Sequence, residues 1–126
     1  MSDDADHEAV ALDLRLKRAY EPAEPGDGYR ILVDRLWPRG VSRERARLDE
    51  WARDLAPSTE LRKWFHHDPK LYSEFRKRYR KELRGHVDQI DELRKRASHG
   101  PVTIVYGARD TEHNEAVVIA ELVRGP

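Results

Sequence analysis

The chain has 126 residues, of which 38% are charged, with 24 Lys and Arg against 24 Asp and Glu. That length supports one modest core and not two, and a net charge of zero argues against a general polyanion binder while leaving room for a local basic face. No cysteine is present, which excludes disulfides, thiolate metal sites and cysteine nucleophiles.

Residues 1–9 are polar and acidic and read as a tail ahead of a single domain over 10–126; they lack the apolar stretch of a secretory signal. No apolar run approaches the ~20 residues that span a bilayer, so a soluble cytoplasmic protein with no membrane partner is expected. Val10 to Lys17 alternates apolar and polar residues, the period of a strand with one wet face or of an edge strand. Pro22, Pro25, Gly26 and Gly28 mark a loop, and Tyr29–Asp34 is a second, more uniformly apolar and more central strand. Ser42 is placed to cap a short helix from Arg43 to about Leu48. Asp49–Leu55 continues that helix or forms a short strand ending at Asp54, and Pro57 stops it. Ser58 or Thr59 opens a helix with Leu61, Trp64 and Phe65 on one face. Asp68-Pro69 starts the next, with Leu71, Phe75, Tyr79 and Leu83 inward. Gly85 breaks it before a helix from about His86 to Ala97 on Val87, Ile90, Leu93 and Ala97. Val102–Tyr106 is the third clear strand. Asp110 or Thr111 caps a last helix that packs through Ala116, Ile119, Ala120 and Val123. Strands separated by helices predict a small α/β sandwich with a largely parallel sheet.

Two buried-type strands run straight into charged and turn-forming residues. One gives Asp34, Arg35, Trp37 and Arg39; the other gives Tyr106, Arg109 and Asp110, followed by His113 and Asn114. In a parallel sheet both sets emerge at one edge, where open α/β folds bind ligands. Arginine forks match phosphate or carboxylate, so a small phosphorylated or nucleotide-like anion is the expected partner, held by Arg35, Arg39 and Arg109. Asp34 or Asp110 is then the candidate base. His113 is the candidate proton carrier, and Asn114, Trp37 and Tyr106 complete the ligand shell. The same residues can instead serve as ion pairs that fasten loops, and Trp37 as an indole packed on the core.

His66-His67-Asp68 lacks the spacing of a metal site on a helical face. His7, His86 and His99 read as solvent residues. No Gly-rich phosphate loop, GxSxG elbow or HExxH occurs, so no cofactor is indicated. From Glu60 to Arg84 nine Lys/Arg stand against four Asp/Glu. The helix around Arg76–Arg84 is therefore the alternative, as a nucleic-acid or protein-interaction surface. A third reading is an assembly partner whose motifs are structural. Oligomeric state is not encoded in any of these patterns.

Several of the motifs are longer than chance supplies. Asp27-Gly28-Tyr29-Arg30, Val33-Asp34-Arg35-Leu36-Trp37-Pro38-Arg39-Gly40, Leu61 through Asp68, Phe75-Arg76-Lys77-Arg78-Tyr79 and Ala108-Arg109-Asp110 with His113-Asn114 closely resemble the YeaO-like family, domain of unknown function 488. The resemblance runs from about residue 14 to the C-terminus. It implies a small Rossmann-like three-layer sandwich with three to four strands, and it brings no activity with it. In distant relatives one strand ends in Asp-x-Arg and a later one leads into a cysteine- and histidine-containing segment. Here Asp34 and Arg35 are adjacent, and Tyr106-Gly107 stands where those relatives carry the cysteine, so thiol chemistry cannot operate. The resemblance also implies a strand within Leu48–Leu55, which would bring Asp54 to the crevice.

Overall fold

The computed structural model describes residues 11–125. Four parallel strands form its sheet in the order β1-β4-β2-β3. They are β1 (Leu14–Arg18), β2 (Tyr29–Leu32), β3 (Glu50–Trp51) and β4 (Val102–Tyr106). The helices are α1 (Arg43–Ala46), α2 (Thr59–Phe65), α3 (Tyr72–Leu83), α4 (Val87–Ala97) and α5 (Glu115–Arg124). Short 3₁₀ turns at Pro25–Asp27, Arg53–Leu55, Pro69–Leu71 and Arg84–His86 join them. This is the small parallel α/β sandwich expected.

The central pair, β4 and β2, owes its place to composition. All five residues of Val102–Tyr106 are buried, as parallel strands covered on both faces require. On one face Ile31, Val33, Val102 and Ile104 meet the helices, whose inward residues include Phe75, Tyr79, Ile90, Leu93, Ile119 and Val123. Phe65 and Phe75 stack with ring centroids 4.3 Å apart. Each such aromatic contributes about 1.5–3 kcal/mol of burial. The other face carries a thinner layer, in which Leu32 and Val105 lie under Trp37, Leu48 and Trp51.

That thin face also holds a buried ionic knot. Asp27 accepts hydrogen bonds from Arg30 Nη1 (2.6 Å) and Lys17 Nζ (3.1 Å), and from the backbone N–H of Glu24 (3.0 Å). Burial pushes the Asp27 carboxyl up, but these donors outweigh it and hold the group below its ordinary value. Arg30 also donates to the Ala46 carbonyl at 2.9 Å, tying α1 to the sheet. Next to the knot, Gly28 adopts φ 64°, and a Cβ there would stand 2.1 Å from the Pro101 carbonyl oxygen. The Asp27-Gly28-Tyr29-Arg30 motif is therefore architectural.

Several boundaries differ from the sequence reading. The start of the first strand at Val10, the tail and His7 lie outside the described residues. β1 is an edge strand paired only with β4. The first helix ends at Ala46 because Arg47 turns left-handed, at φ 46°. Only Glu50 and Trp51 of the Asp49–Leu55 segment join the sheet. Asp54 falls in the following 3₁₀ turn, exposed and away from the crevice. Trp64 and Val87, expected inward, are 36% and 52% exposed, and the guanidinium of Arg78 covers the Trp64 ring at 4.2 Å. The last helix is capped by Asn114, whose side chain accepts from the Val117 N–H, and not by Asp110 or Thr111.

Asp27→Ala would leave Arg30 buried without its anion. Breaking such a pair costs about 3–5 kcal/mol, so the variant is expected to melt many degrees lower in a thermal unfolding scan. An unchanged midpoint would show that the knot adds no stability.

Candidate crevice at the carboxyl ends of the central strands

β2 and β4 point their carboxyl ends at the same edge, and a single carboxylate ties them together there. Asp34, just past β2, accepts the backbone N–H of Gly107, just past β4, at 2.8 Å. The Asp34 carbonyl accepts the indole N–H of Trp51 at 2.7 Å, so its backbone is fixed from the thin layer as well. A Cβ at Gly107 would lie 2.8 Å from Asp34 Oδ2, so a side chain there would push on this carboxylate.

The second carboxyl comes from Glu115, the first residue of α5. The residue is half-buried overall, yet its carboxyl is enclosed. Burial, then the hydrogen bond to Asp34 and the Asp34 charge, push its pKa well above the ordinary range. A neighbouring carboxylate disfavours a second negative charge, so the protonated form of Glu115 is favoured beside Asp34. Asp34 Oδ1 is buried and meets no hydrogen-bond donor among the described residues. The two groups make a carboxyl pair.

This pair forms the floor of a crevice of about 250 Å³. Leu36, Trp37, Pro38 and Phe65 supply walls, while Arg35, Arg62 and His67 supply basic groups. Trp37 is locked by its indole N–H bond to the Val41 carbonyl, 2.6 Å, and by edge-on packing against Trp51, 5.2 Å between centroids. Arg35 reaches the Pro57 and Ala56 carbonyls through long bonds of 3.3 and 3.4 Å. It thus holds the far wall with part of its guanidinium. His67 arrives by an unusual path: His66 and His67 are both left-handed, at φ 51° and 54°. Consecutive non-glycine residues there are strained, by about 1–3 kcal/mol each.

Of the residues expected to share a site, Asp34, Arg35 and Trp37 line this crevice. Arg39 and Arg109 are exposed and do not line it. Tyr106 is buried in the core, where burial raises its pKa. Asp110, His113 and Asn114 form a separate capping loop. Asp110 accepts the N–H groups of Glu112 (2.9 Å) and His113 (3.0 Å) and pairs with the His113 ring at 2.9 Å. Those contacts, the Glu112 N–H first, hold the Asp110 carboxyl below its ordinary value. Asn114 caps α5 and donates to the Asp110 carbonyl at 2.8 Å. This segment therefore delivers Glu115 to the crevice without lining it. Glu115, Arg62 and His67 are the crevice residues that sequence reasoning missed.

Three of the six basic residues over Arg76–Arg84 are paired with acids, while Lys77, Lys81 and Arg84 are exposed. Arg76 and Arg80 both bind Glu121, at 2.7 and 2.9 Å, and Arg78 binds Glu74 at 2.9 Å. Among the described residues no group of three His, Asp or Glu is placed to hold a metal ion, and no helix is long and apolar enough to cross a membrane.

A short parallel α/β domain with an acid-floored crevice at its central strand ends is the class that fold and site define. The chain belongs to the DUF488 family: residues 13–125 match the family model described as "Inactive DUF488-N3 subclade". It is 46% identical over 113 residues to the "Uncharacterized protein YeaO" of Escherichia coli K12, covering 90% of this chain and 98% of that protein. It is 42% identical over 112 residues to the "Uncharacterized protein Rv3073c" of Mycobacterium tuberculosis H37Rv, covering 89% and 94%. No solved structure matches.

The carboxyl pair has a pH signature. With the folded pKa of Glu115 raised, the unfolded chain loses that proton first, from about pH 4.3 upward, while the folded chain keeps it. The folded state then binds more protons, so this group's contribution to stability falls as pH rises until the folded pKa is passed. Glu115→Gln removes the effect. Its melting point relative to wild type is expected to climb between about pH 4 and pH 8. A pH-independent difference would mean that Glu115 is ionised in the fold.

Proposed function

We propose that the crevice binds a small phosphorylated anion, and that it does so as a binder without turnover. The observation that carries this reading is the meeting of Asp34 and Gly107 at the carboxyl edge of the parallel sheet, in a cavity also lined by Arg35, Arg62 and His67. The raised pKa of Glu115 disfavours a second negative charge on the floor beside Asp34. Two guanidiniums, Arg35 and Arg62, then outweigh the acid floor. Guanidiniums match phosphate oxygens in pairs. Arg62, exposed and with no acidic partner within 4.0 Å among the described residues, is the principal contact. A crevice of about 250 Å³ lies below the ~300–1,000 Å³ of drug-sized sites, which favours a ligand no larger than a mononucleotide or sugar phosphate. The description of the matching family as inactive supports binding over catalysis. So does the separation of Asp110 and His113 from the crevice, which leaves Asp34 without a histidine partner from that loop.

Thermal stability against ribose 5-phosphate tests this. A ligand at 100 times its dissociation constant adds about 2.7 kcal/mol to native stability. The shift is expected to vanish in Arg62→Ala and to survive in Arg109→Ala. Stabilisation that ignores Arg62 but needs Arg109 would move the anion site out of the crevice. Absence of any stabilisation by ribose 5-phosphate, with or without a base attached, would remove the reading.

A further inference from the structure

From Arg18 to Arg62 the chain carries nine arginines and no lysine, and the stretch Arg35 to Arg47 holds five of them against a single acid, Glu44. Arg39, Arg43, Arg45 and Arg47 sit on α1 and the loop before it, and Arg53 follows β3; all five are exposed. None of the five has an acid within 4.0 Å among the described residues, and their guanidiniums donate to no protein group there. On α3, Arg76, Arg78 and Arg80 are each paired. We infer that this arginine surface over the thin face is a second binding site, separate from the crevice, and that it holds the sugar–phosphate backbone of a single-stranded nucleic acid.

Preorganisation separates these arginines from an ordinary solvated face. The Arg43 guanidinium lies over Trp37 at 4.4 Å and over Trp51 at 5.6 Å, and Arg53 covers Trp51 at 3.7 Å. Both indoles are fixed in turn, through N–H bonds to the Val41 and Asp34 carbonyls. A guanidinium held flat on an indole keeps its N–H edge open, so it meets a phosphate as a fork with little rotamer freedom left to lose. Arg45 and Arg47 line a shallow depression with Pro22, Ala23 and Glu44. Arginine in place of lysine throughout suits an oxyanion read by paired N–H groups. Of the acids nearby, Asp49 accepts the Arg30 N–H at 2.8 Å and Glu50 accepts the Tyr29 hydroxyl at 2.7 Å, so both are tied to the sheet. The four residues of α1 make about 6 Å of helix, too little to lie along a major groove and read a duplex. A single strand can bend its phosphates to the arginine positions, and its bases can stack on the guanidinium planes. An acidic peptide offers carboxylates without flat groups for those planes.

Fluorescence anisotropy of the full chain with short labelled single strands of mixed sequence, in DNA and in RNA form, tests the inference, beside the matching duplex and a labelled poly-glutamate peptide. At about 0.7 counterions released per contacted phosphate, five contacts are expected to weaken single-strand binding about a hundredfold as salt rises from about 50 to 200 mM. Arg45→Gln/Arg47→Gln lies outside the indole stacks, so the fold and its melting point are expected to hold while the salt slope drops by about 1.4. Arg43→Lys keeps the charge and loses the stacked fork, and is expected to weaken binding with the slope unchanged. Lys77→Gln/Lys81→Gln on α3 is expected to bind as wild type does. No binding to either strand, or an affinity that ignores salt, would overturn the inference. Binding that survives Arg45→Gln/Arg47→Gln and is lost in Lys77→Gln/Lys81→Gln would overturn it in favour of α3. Duplex or poly-glutamate held as tightly as the single strand would overturn the choice of partner.

Discussion

The hydrogen bond from the Gly107 amide to the Asp34 carboxylate joins the two central strands just beyond their last ladder pairing. Everything at the crevice follows from it. It fixes where the Asp34 carboxylate sits, against Gly107, whose Cβ would press on it, and beside Glu115. With it, the Asp34 carboxylate is satisfied on Oδ2 by backbone, while the raised pKa of Glu115 disfavours a second charge beside it.

The surroundings of Asp34 show how the two faces of the sheet cooperate. The helical face delivers Glu115 and Phe65, while the thin face delivers Trp37 and the Trp51 N–H. On the thin face the helical cover is the four-residue α1. This face compensates with directed contacts: an ionic knot around Asp27, paired indoles, and arginines stacked on them, Arg43 over Trp37 at 4.4 Å and Arg53 over Trp51 at 3.7 Å. Several family motifs, Asp27-Gly28-Tyr29-Arg30 among them, serve this layer.

The strands β2 and β4 were legible because uninterrupted apolar runs have few other fates, and their charged ends marked the functional edge before any coordinates. Asp34, Arg35 and Trp37 were legible for the same reason. Glu115 was not: an acidic residue in the first turn of a helix is the ordinary complement of the helix dipole. Nothing local distinguishes one that turns inward. The cap was ambiguous because Asp110, Thr111 and Asn114 all suit the position, and the choice fell to Asn114 through the loop geometry that Asp110 organises. Arg62 looked like one more charge on a wet helix. His67 depends on two left-handed residues in succession, a conformation no residue preference forecasts. Asp54 missed the crevice because only two residues of β3 pair before the chain turns away.

The edges of the sheet have a bearing on how this chain survives its own folding. Among the described residues no strand pairs with the outer side of β1, and it carries Arg15, Lys17 and Arg18 among its five residues. The opposite edge, β3, is two residues long. A charged edge and a truncated one are both poor templates for an incoming strand. Parallel sheets close slowly, because their pairings span long stretches of chain. During that interval a charged border and a short one discourage neighbouring chains from adding to the sheet.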